Sequence, residues 1–540
     1  MRPSAVTVPL VAAALAHAAL HVPVTRYHKR DASSAVPFNR VAAAASNSPG
    51  TTTGFGSLSV INSQNILYIT DLTIGNTNIP IILDTGSTDL WIDVTKFPGL
   101  LSNAQNHTDI ALNLTYGIGS ALGFVSVTDI EFADIPVPNQ ALLAVLKTDQ
   151  QDALYDAGAF GILGLGSNTL SNIYLAMQKK YGDNRGQSVL SNIFSANASE
   201  PNHFAIFLDR MGDLDNSAHG TFSLGTYNPS YSAVQNQPEL PLAVPDASSG
   251  ARWSTVIDAV ELSGKNVTLG KSTVSGVQSG KAVALFDTGA TLMYIPKDMA
   301  DTWFKSIPDI VYVSTQDVYF VPCNAELEVA IWIKGNRYPI HPLDITKPVA
   351  APLFSFPNST YCMMQILPMD TSISDGAFDL WLGEVFLRNA YSVFDFGDTD
   401  PSTNKTGVPY MKFLSITDEN AATGDFRTSR NQSLAALPAL GNLTAVAAAD
   451  KQTNPSGTPG GGPSVEDDVN KLVGWAPAML GLLGFNALAL LMLVVIGVML
   501  LRRGKRDTSA GAPRYQPVHL PPKHAPYEEP LYEEHRYNDA

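Results

Sequence analysis

The chain has 540 residues, 45% of them hydrophobic, and carries 49 Asp and Glu against 34 Lys and Arg, a formal net charge of −15. That length buries a large core and predicts more than one folding unit. The acidic balance argues against a nucleic-acid partner, which needs concentrated Lys and Arg, and suits a protein working at low pH, where protonated carboxylates reduce self-repulsion.

Met1-Arg2, the apolar run Val6–Leu20 and the small-x-small pattern Ala16-His17-Ala18 read as a secretory signal peptide over residues 1–18. A leader follows over 19–54: a short basic segment ends at Lys29-Arg30, a site for a dibasic processing protease or an ordinary exposed basic pair. Beyond it the chain is rich in Ala, Ser, Gly and Pro. Strand-like runs then come close together, Ile66–Thr70, Leu72–Gly75 and Ile79–Leu83, with turn residues between them.

The last of these runs ends on Asp84-Thr85-Gly86-Ser87, a carboxylate followed at once by a tight turn. A carboxylate at the end of a buried strand is costly unless something uses it. The pattern recurs as Val283-Ala284-Leu285-Phe286-Asp287-Thr288-Gly289, 203 residues later. One Asp-Thr-Gly carries little information, but two behind matched apolar runs predict two homologous lobes sharing one site. Between the copies, Ser171–Lys180 reads as a helix, and Lys297–Phe304 reads as another after the second. The lobe boundary is expected in the polar stretch near Gly225–Ser232, dividing lobes 55–226 and 227–420.

Residues 421–474 lose strand periodicity, become rich in Ala, Asn, Thr, Gly and Pro, and read as a stalk. The segment 475–501 contains the run Ala478–Leu501, almost wholly apolar, whose 24 residues reach roughly 36 Å and are enough to cross a bilayer. Arg502-Arg503-Gly504-Lys505-Arg506 should hold its end in the cytoplasm, giving a single-pass type I protein of the plasma membrane or of an endosomal or vacuolar membrane. The 39 residues after the run argue against a glycolipid anchor. In the cytoplasmic tail 502–540, Tyr515-Gln516-Pro517-Val518 fits a tyrosine-based sorting signal, a pattern short enough to arise by chance. The sequons at Asn106, Asn113, Asn197, Asn266, Asn358, Asn404, Asn431 and Asn442 agree with passage through the secretory pathway.

The two Asp-Thr-Gly turns resemble those of the pepsin-like aspartic proteases, and the resemblance extends over about residues 55–420. Gly161-Ile162-Leu163-Gly164 and Leu380-Trp381-Leu382-Gly383 are similar to that family's apolar-apolar-Gly elements. Thr115-Tyr116-Gly117-Ile118-Gly119-Ser120 resembles its flap hairpin, and Trp91 its flap-supporting tryptophan. The resemblance implies a mostly β fold of two lobes with a cleft between them, to which the sequence adds the C-terminal transmembrane helix. It implies an aspartic endopeptidase acting on polypeptides with Asp84 and Asp287 as the catalytic pair. By the same resemblance Thr85 and Thr288 cross-brace the loops, Tyr116 and Gly117 form the flap tip, Ile82 and Ile162 line an apolar pocket, and Thr291 binds the substrate backbone. Ile82 and Ile162 read equally well as plain core. The family commonly bridges the region of Cys323 and Cys362, the two cysteines here, which otherwise would be buried free thiols.

The chemistry follows from two carboxyls close enough that both cannot ionise. One takes a proton from water and the other donates to the scissile carbonyl, with no covalent intermediate, metal or cofactor required. Gly86 and Gly289 let the backbone approach and donate N–H bonds, and Ser87 adds a hydroxyl to Asp84. The matching position in the second lobe is Ala290, which has no donor; one donor fewer should raise the pair's lower pKa and move the active range towards less acidic pH. The ectodomain is expected to be monomeric. Zinc spacings and a Gly-x-Ser-x-Gly elbow are absent from the sequence, and Gly117-Ile118-Gly119-Ser120 lacks the Lys-Ser/Thr of a phosphate loop. The competing reading is a catalytically silent pepsin-like binding or sensing module on a stalk.

Overall fold

A computed structural model describes residues 56–453, except for 64–66, 118, 198–199, 211–217, 244–250, 268, 315–317, 355, 371–373, 375, 401–402 and 404. The signal peptide, the leader, the distal stalk, the span 475–501 and the tail expected from the sequence lie outside the described residues. No helix among the described residues is long and apolar enough to cross a membrane.

The fold is mostly β. Thirteen strands form one sheet whose order carries it from the first lobe into strands Ala390–Asp395 and Tyr410–Ser415. Strand His203–Phe207 lies between Ala218–Leu224 and Ala390–Asp395, with Ser392 opposite Ile206, so residues from both halves share a ladder. Phe204 stacks on Phe222 and Phe394 across this junction, with centroids 5.5 and 4.8 Å apart. The second lobe adds a five-stranded sheet and two of four strands.

The two apolar runs become strands for the same reason. In Thr77–Asp84 the residues Ile79, Ile81, Ile82 and Leu83 are all buried, and in Ala282–Phe286 all five are. A strand covered on both faces needs continuous rather than alternating hydrophobicity. Each lies parallel to its lobe's apolar-apolar-Gly element, with Asp84 opposite Gly164 and Phe286 opposite Leu382. Each element is flanked on its other side by an antiparallel strand, Leu90–Asp93 or Met293–Pro296. The repeated pairing makes the lobes structural copies at the point where each chain turns after its strand.

The helices Asn172–Tyr181 and Lys297–Phe304 form where the sequence predicts them. The first is capped by the Ser171 side chain, which accepts from Tyr174 N at 2.9 Å, and ends on Gly182 at φ 74°.

The stretch from 421 is not a stalk as far as residue 453. Helix Glu419–Ala436, capped by Asp418, turns Ala422, Phe426, Arg430 and Ser433 inward at spacings of four, four and three. Arg430 is buried and donates to Thr346 O at 2.8 Å, Thr346 Oγ1 at 3.0 Å and Cys323 O at 3.2 Å, beside the Cys323–Cys362 disulfide. Helix Leu443–Thr453 buries Val446 against Val313, Phe320 and Tyr361, and Asp450 accepts from Ser314 Oγ at 2.8 Å. The predicted lobe end at 420 therefore moves to 453. So few large apolar residues, Phe426 in the first helix and Val446 in the second, escape a search for strand periodicity. Arg430→Ala should lower the stability of the folded lobe by about 1–3 kcal/mol, because it strands buried carbonyls. Thermal unfolding checks this, since a substitution in a detached stalk would leave the transition unmoved.

Candidate active site

Asp84 ends a buried strand, Asp287 directly follows another, and they are only 6% and 4% exposed. They meet on a single backbone donor. Gly86 N–H lies 2.8 Å from Asp84 Oδ1 and 3.1 Å from Asp287 Oδ1, so the inner oxygens of the two carboxyls converge there. Gly289 N–H donates to Asp287 Oδ1 at 2.8 Å.

The approach is close enough to require glycine at both turns. A Cβ on Gly86 would lie 2.4 Å from Asp287 Oδ2, and one on Gly289 would lie 2.5 Å from Asp84 Oδ1. Neither distance is compatible with a side chain. The threonines lock the loops reciprocally: Thr85 N donates to Thr288 Oγ1 at 3.0 Å and Thr288 N to Thr85 Oγ1 at 2.9 Å. Their hydroxyls in turn donate to the opposite strands, Thr85 to Phe286 O at 2.8 Å and Thr288 to Leu83 O at 2.7 Å. With every polar group in the brace paired, the carboxyls are held by backbone geometry rather than by loop conformation.

The outer oxygens differ between lobes. Asp84 Oδ2 accepts from Ser87 Oγ. Asp287 Oδ2 accepts from the Trp381 indole Nε1 at 2.8 Å. The donor expected to be missing at Ala290 is thus supplied from another strand, which sequence reading did not find. The signals were a tryptophan inside an apolar-apolar-Gly element and an alanine where its counterpart is a serine.

Burial, followed by the charge and hydrogen bond of Asp84, pushes the Asp287 carboxyl well above the usual carboxylate range, against the opposing pull of Gly289 N–H and Trp381. Burial and the neighbouring carboxyl thus favour the protonated form of Asp287.

The hairpin formed by Gln105–Thr115 and Ser120–Phe132 closes with Tyr116 N donating to Gly119 O at 3.1 Å. Tyr116 packs on the buried Trp91, ring centroids 6.5 Å apart. Burial, then the carboxyls of Asp84 and Asp89, drive the Tyr116 phenol well above its ordinary value, so it stays a neutral O–H. Ile82 and Ile162 face each other on adjacent strands and belong with Trp91 to an apolar cluster on which Tyr116 rests. Gly117 reaches across to the second lobe, where a Cβ would come within 3.0 Å of Trp381 Cη2. Thr291 is half-buried in the loop between Asp287 and strand Met293–Pro296.

Of the remaining expected positions, Asn106, Asn113, Asn266, Asn358, Asn431 and Asn442 are exposed. Asn197 is half-buried and donates its amide to Ile193 O at 3.0 Å, and Asn404 lies outside the described residues. Among the described residues no cluster of His, Cys, Asp and Glu could hold a metal ion.

The family described as eukaryotic aspartyl protease matches residues 67–404. Vacuolar protease A of Aspergillus fumigatus is 25% identical over 359 residues, covering 63% of this chain and 79% of its own. Penicillopepsin-2 of Penicillium janthinellum is 24% identical over 372 residues, 67% of this chain and 82% of its own. Pepsin A of Bos taurus is 24% identical over 345 residues, 59% and 78% respectively. The crystal structure of the aspartic proteinase from Irpex lacteus is similar in fold, with a TM-score of 0.50 and 20% identity, covering 68% of this chain and 99% of that one.

Proposed function

The chain belongs to the eukaryotic aspartyl protease family and is an aspartic-type endopeptidase acting on polypeptides; on that premise we propose that Asp84 and Asp287 carry its chemistry. The observation behind this is the single Gly86 N–H shared by one oxygen of each carboxyl, at 2.8 and 3.1 Å. Two acids so placed retain one proton between them, since ionising the second means putting a like charge beside the first.

In this reading a water bound between the carboxyls loses a proton to the ionised member as it attacks the scissile carbonyl. The protonated member, Asp287 in the free protein, donates to the carbonyl oxygen. Both proton transfers are general acid–base steps within hydrogen-bond reach of the same water. Tyr116 and Gly117 close over the substrate and exclude solvent. The cluster of Ile82, Ile162 and Trp91 supports a preference for apolar side chains beside the scissile bond. A proton-sharing pair supports activity on the acid side of neutrality. Digestion of an unfolded protein at acid pH, blocked by a statine-type inhibitor, tests the assignment; activity that persists in Asp84→Asn rejects it.

The signal-peptide pattern, the sequons and the run Ala478–Leu501 with its basic flank support a type I membrane protein of the plasma membrane or an endosomal or vacuolar membrane, its lobes on the non-cytoplasmic side. Protection of the segment from the leader to residue 474 against added protease in sealed vesicles, with loss of the tail, is the expected result.

A further inference from the structure

The outer oxygens of the pair have donors of different kinds. Ser87 serves Asp84 from three residues along its own turn. Asp287 has Ala290 at that place and takes its donor from Trp381, one strand away. Trp381 stands opposite Leu285 on the parallel neighbour of the strand leading to Asp287, and opposite Tyr294 on its other side. Its ring is held by Tyr294 and Phe378, with centroids 5.6 and 6.0 Å away, and leans on an apolar cluster that includes Leu285 and Met369. One edge meets the Asp287 carboxyl, and another lies beneath Gly117 of the flap. An aliphatic side chain could supply that packing but not the hydrogen bond.

We propose that Trp381 is a positioning residue of the pair, its indole N–H replacing for Asp287 the hydroxyl that Ala290 lacks. This rests on the catalytic reading of Asp84 and Asp287. The substitution is not chemically neutral. A hydroxyl both donates and accepts, whereas an indole N–H only donates. The indole N–H therefore holds Oδ2 as an acceptor only, while Oδ1 accepts from the Gly86 and Gly289 N–H groups.

The test is a set of pH–rate profiles on the full-length chain with an unfolded protein as substrate: unsubstituted, Trp381→Phe, Trp381→Phe/Ala290→Ser and, as control, Asp84→Asn. Losing the donor disfavours ionised Asp287. The alkaline limb, where Asp287 gives up the proton it must donate, should therefore move up by about one pH unit in Trp381→Phe. The loss should fall on kcat rather than on KM. Adding Ala290→Ser should bring the limb back, which a merely structural role for the ring would not produce. An unmoved limb, a limb the serine does not restore, or a folded Trp381→Phe chain inactive at every pH overturns the inference alone if activity otherwise depends on Asp84. Activity that survives Asp84→Asn removes the catalytic reading, and this inference with it.

Discussion

Asp287→Asn is expected to reduce kcat/KM by about 10^3–10^4-fold, and Asp84→Asn by a similar factor, with the fold intact. An amide is nearly the same shape as the acid it replaces, so the brace of Thr85 and Thr288 has no reason to move. What disappears is the proton inventory. With asparagine at 287 no acid faces the carbonyl, and with asparagine at 84 no base faces the water. Because the two residues act as a unit, the double variant should be little worse than either single one. Steady-state rates on one peptide substrate decide the matter; losses that multiply in the double variant would mean the two carboxyls work independently.

The second large effect concerns stability. Arg388 is buried and donates to Asp344 Oδ1 at 2.7 Å and to Glu384 Oε2 at 3.0 Å, while Arg210 holds Asp344 Oδ2 at 2.6 Å. Asn389 ties the same carboxylate at 2.9 Å. Arg388→Met takes the arginine from buried Glu384 and from Asp344 Oδ1, leaving Arg210 and Asn389 on Asp344 Oδ2, and should cost about 3–5 kcal/mol. Burial alone would raise the Asp344 carboxyl, but Arg210 and Arg388 overcome it and hold it at about 2. A folded-state value below the ordinary ~3.9 means that the stabilisation is complete above pH ~4 and fades as the pH falls towards 2. Removing Arg388 narrows that gap, so the variant should also unfold at a higher pH than the unsubstituted chain. Denaturant melts at pH 7 and acid titrations followed by circular dichroism check both parts; an unchanged midpoint in each would show that the network carries no net stability.

Much of the site was legible because its signals are local. A continuous apolar run that stops on Asp-Thr-Gly announces a buried strand, a turn and a carboxylate, and a second copy announces a second lobe. The flap could be read from Tyr116 and its glycines, and helix Asn172–Tyr181 from its capping serine. What escaped is carried by contacts between residues far apart in sequence. Trp381 reaches Asp287 across 94 positions, and Arg210 reaches Asp344 across 134. Around Trp381 the signals were only its place in an apolar-apolar-Gly element and the alanine at 290, and around Arg210 nothing local points to Asp344. The helices after residue 418 escaped for another reason. The buried face of the first rests on alanine, serine, one phenylalanine and an arginine, and that of the second on Val446 and Asp450, so composition points to a linker while packing makes them part of the lobe.

The most direct test of the shared proton is the pH dependence of kcat for the unsubstituted chain on a single peptide. The expected result is a bell on the acid side of neutrality, with an acid limb where the pair gains its second proton and an alkaline limb where Asp287 loses its own. A rate that climbs steadily through neutrality, with no alkaline limb, would contradict it.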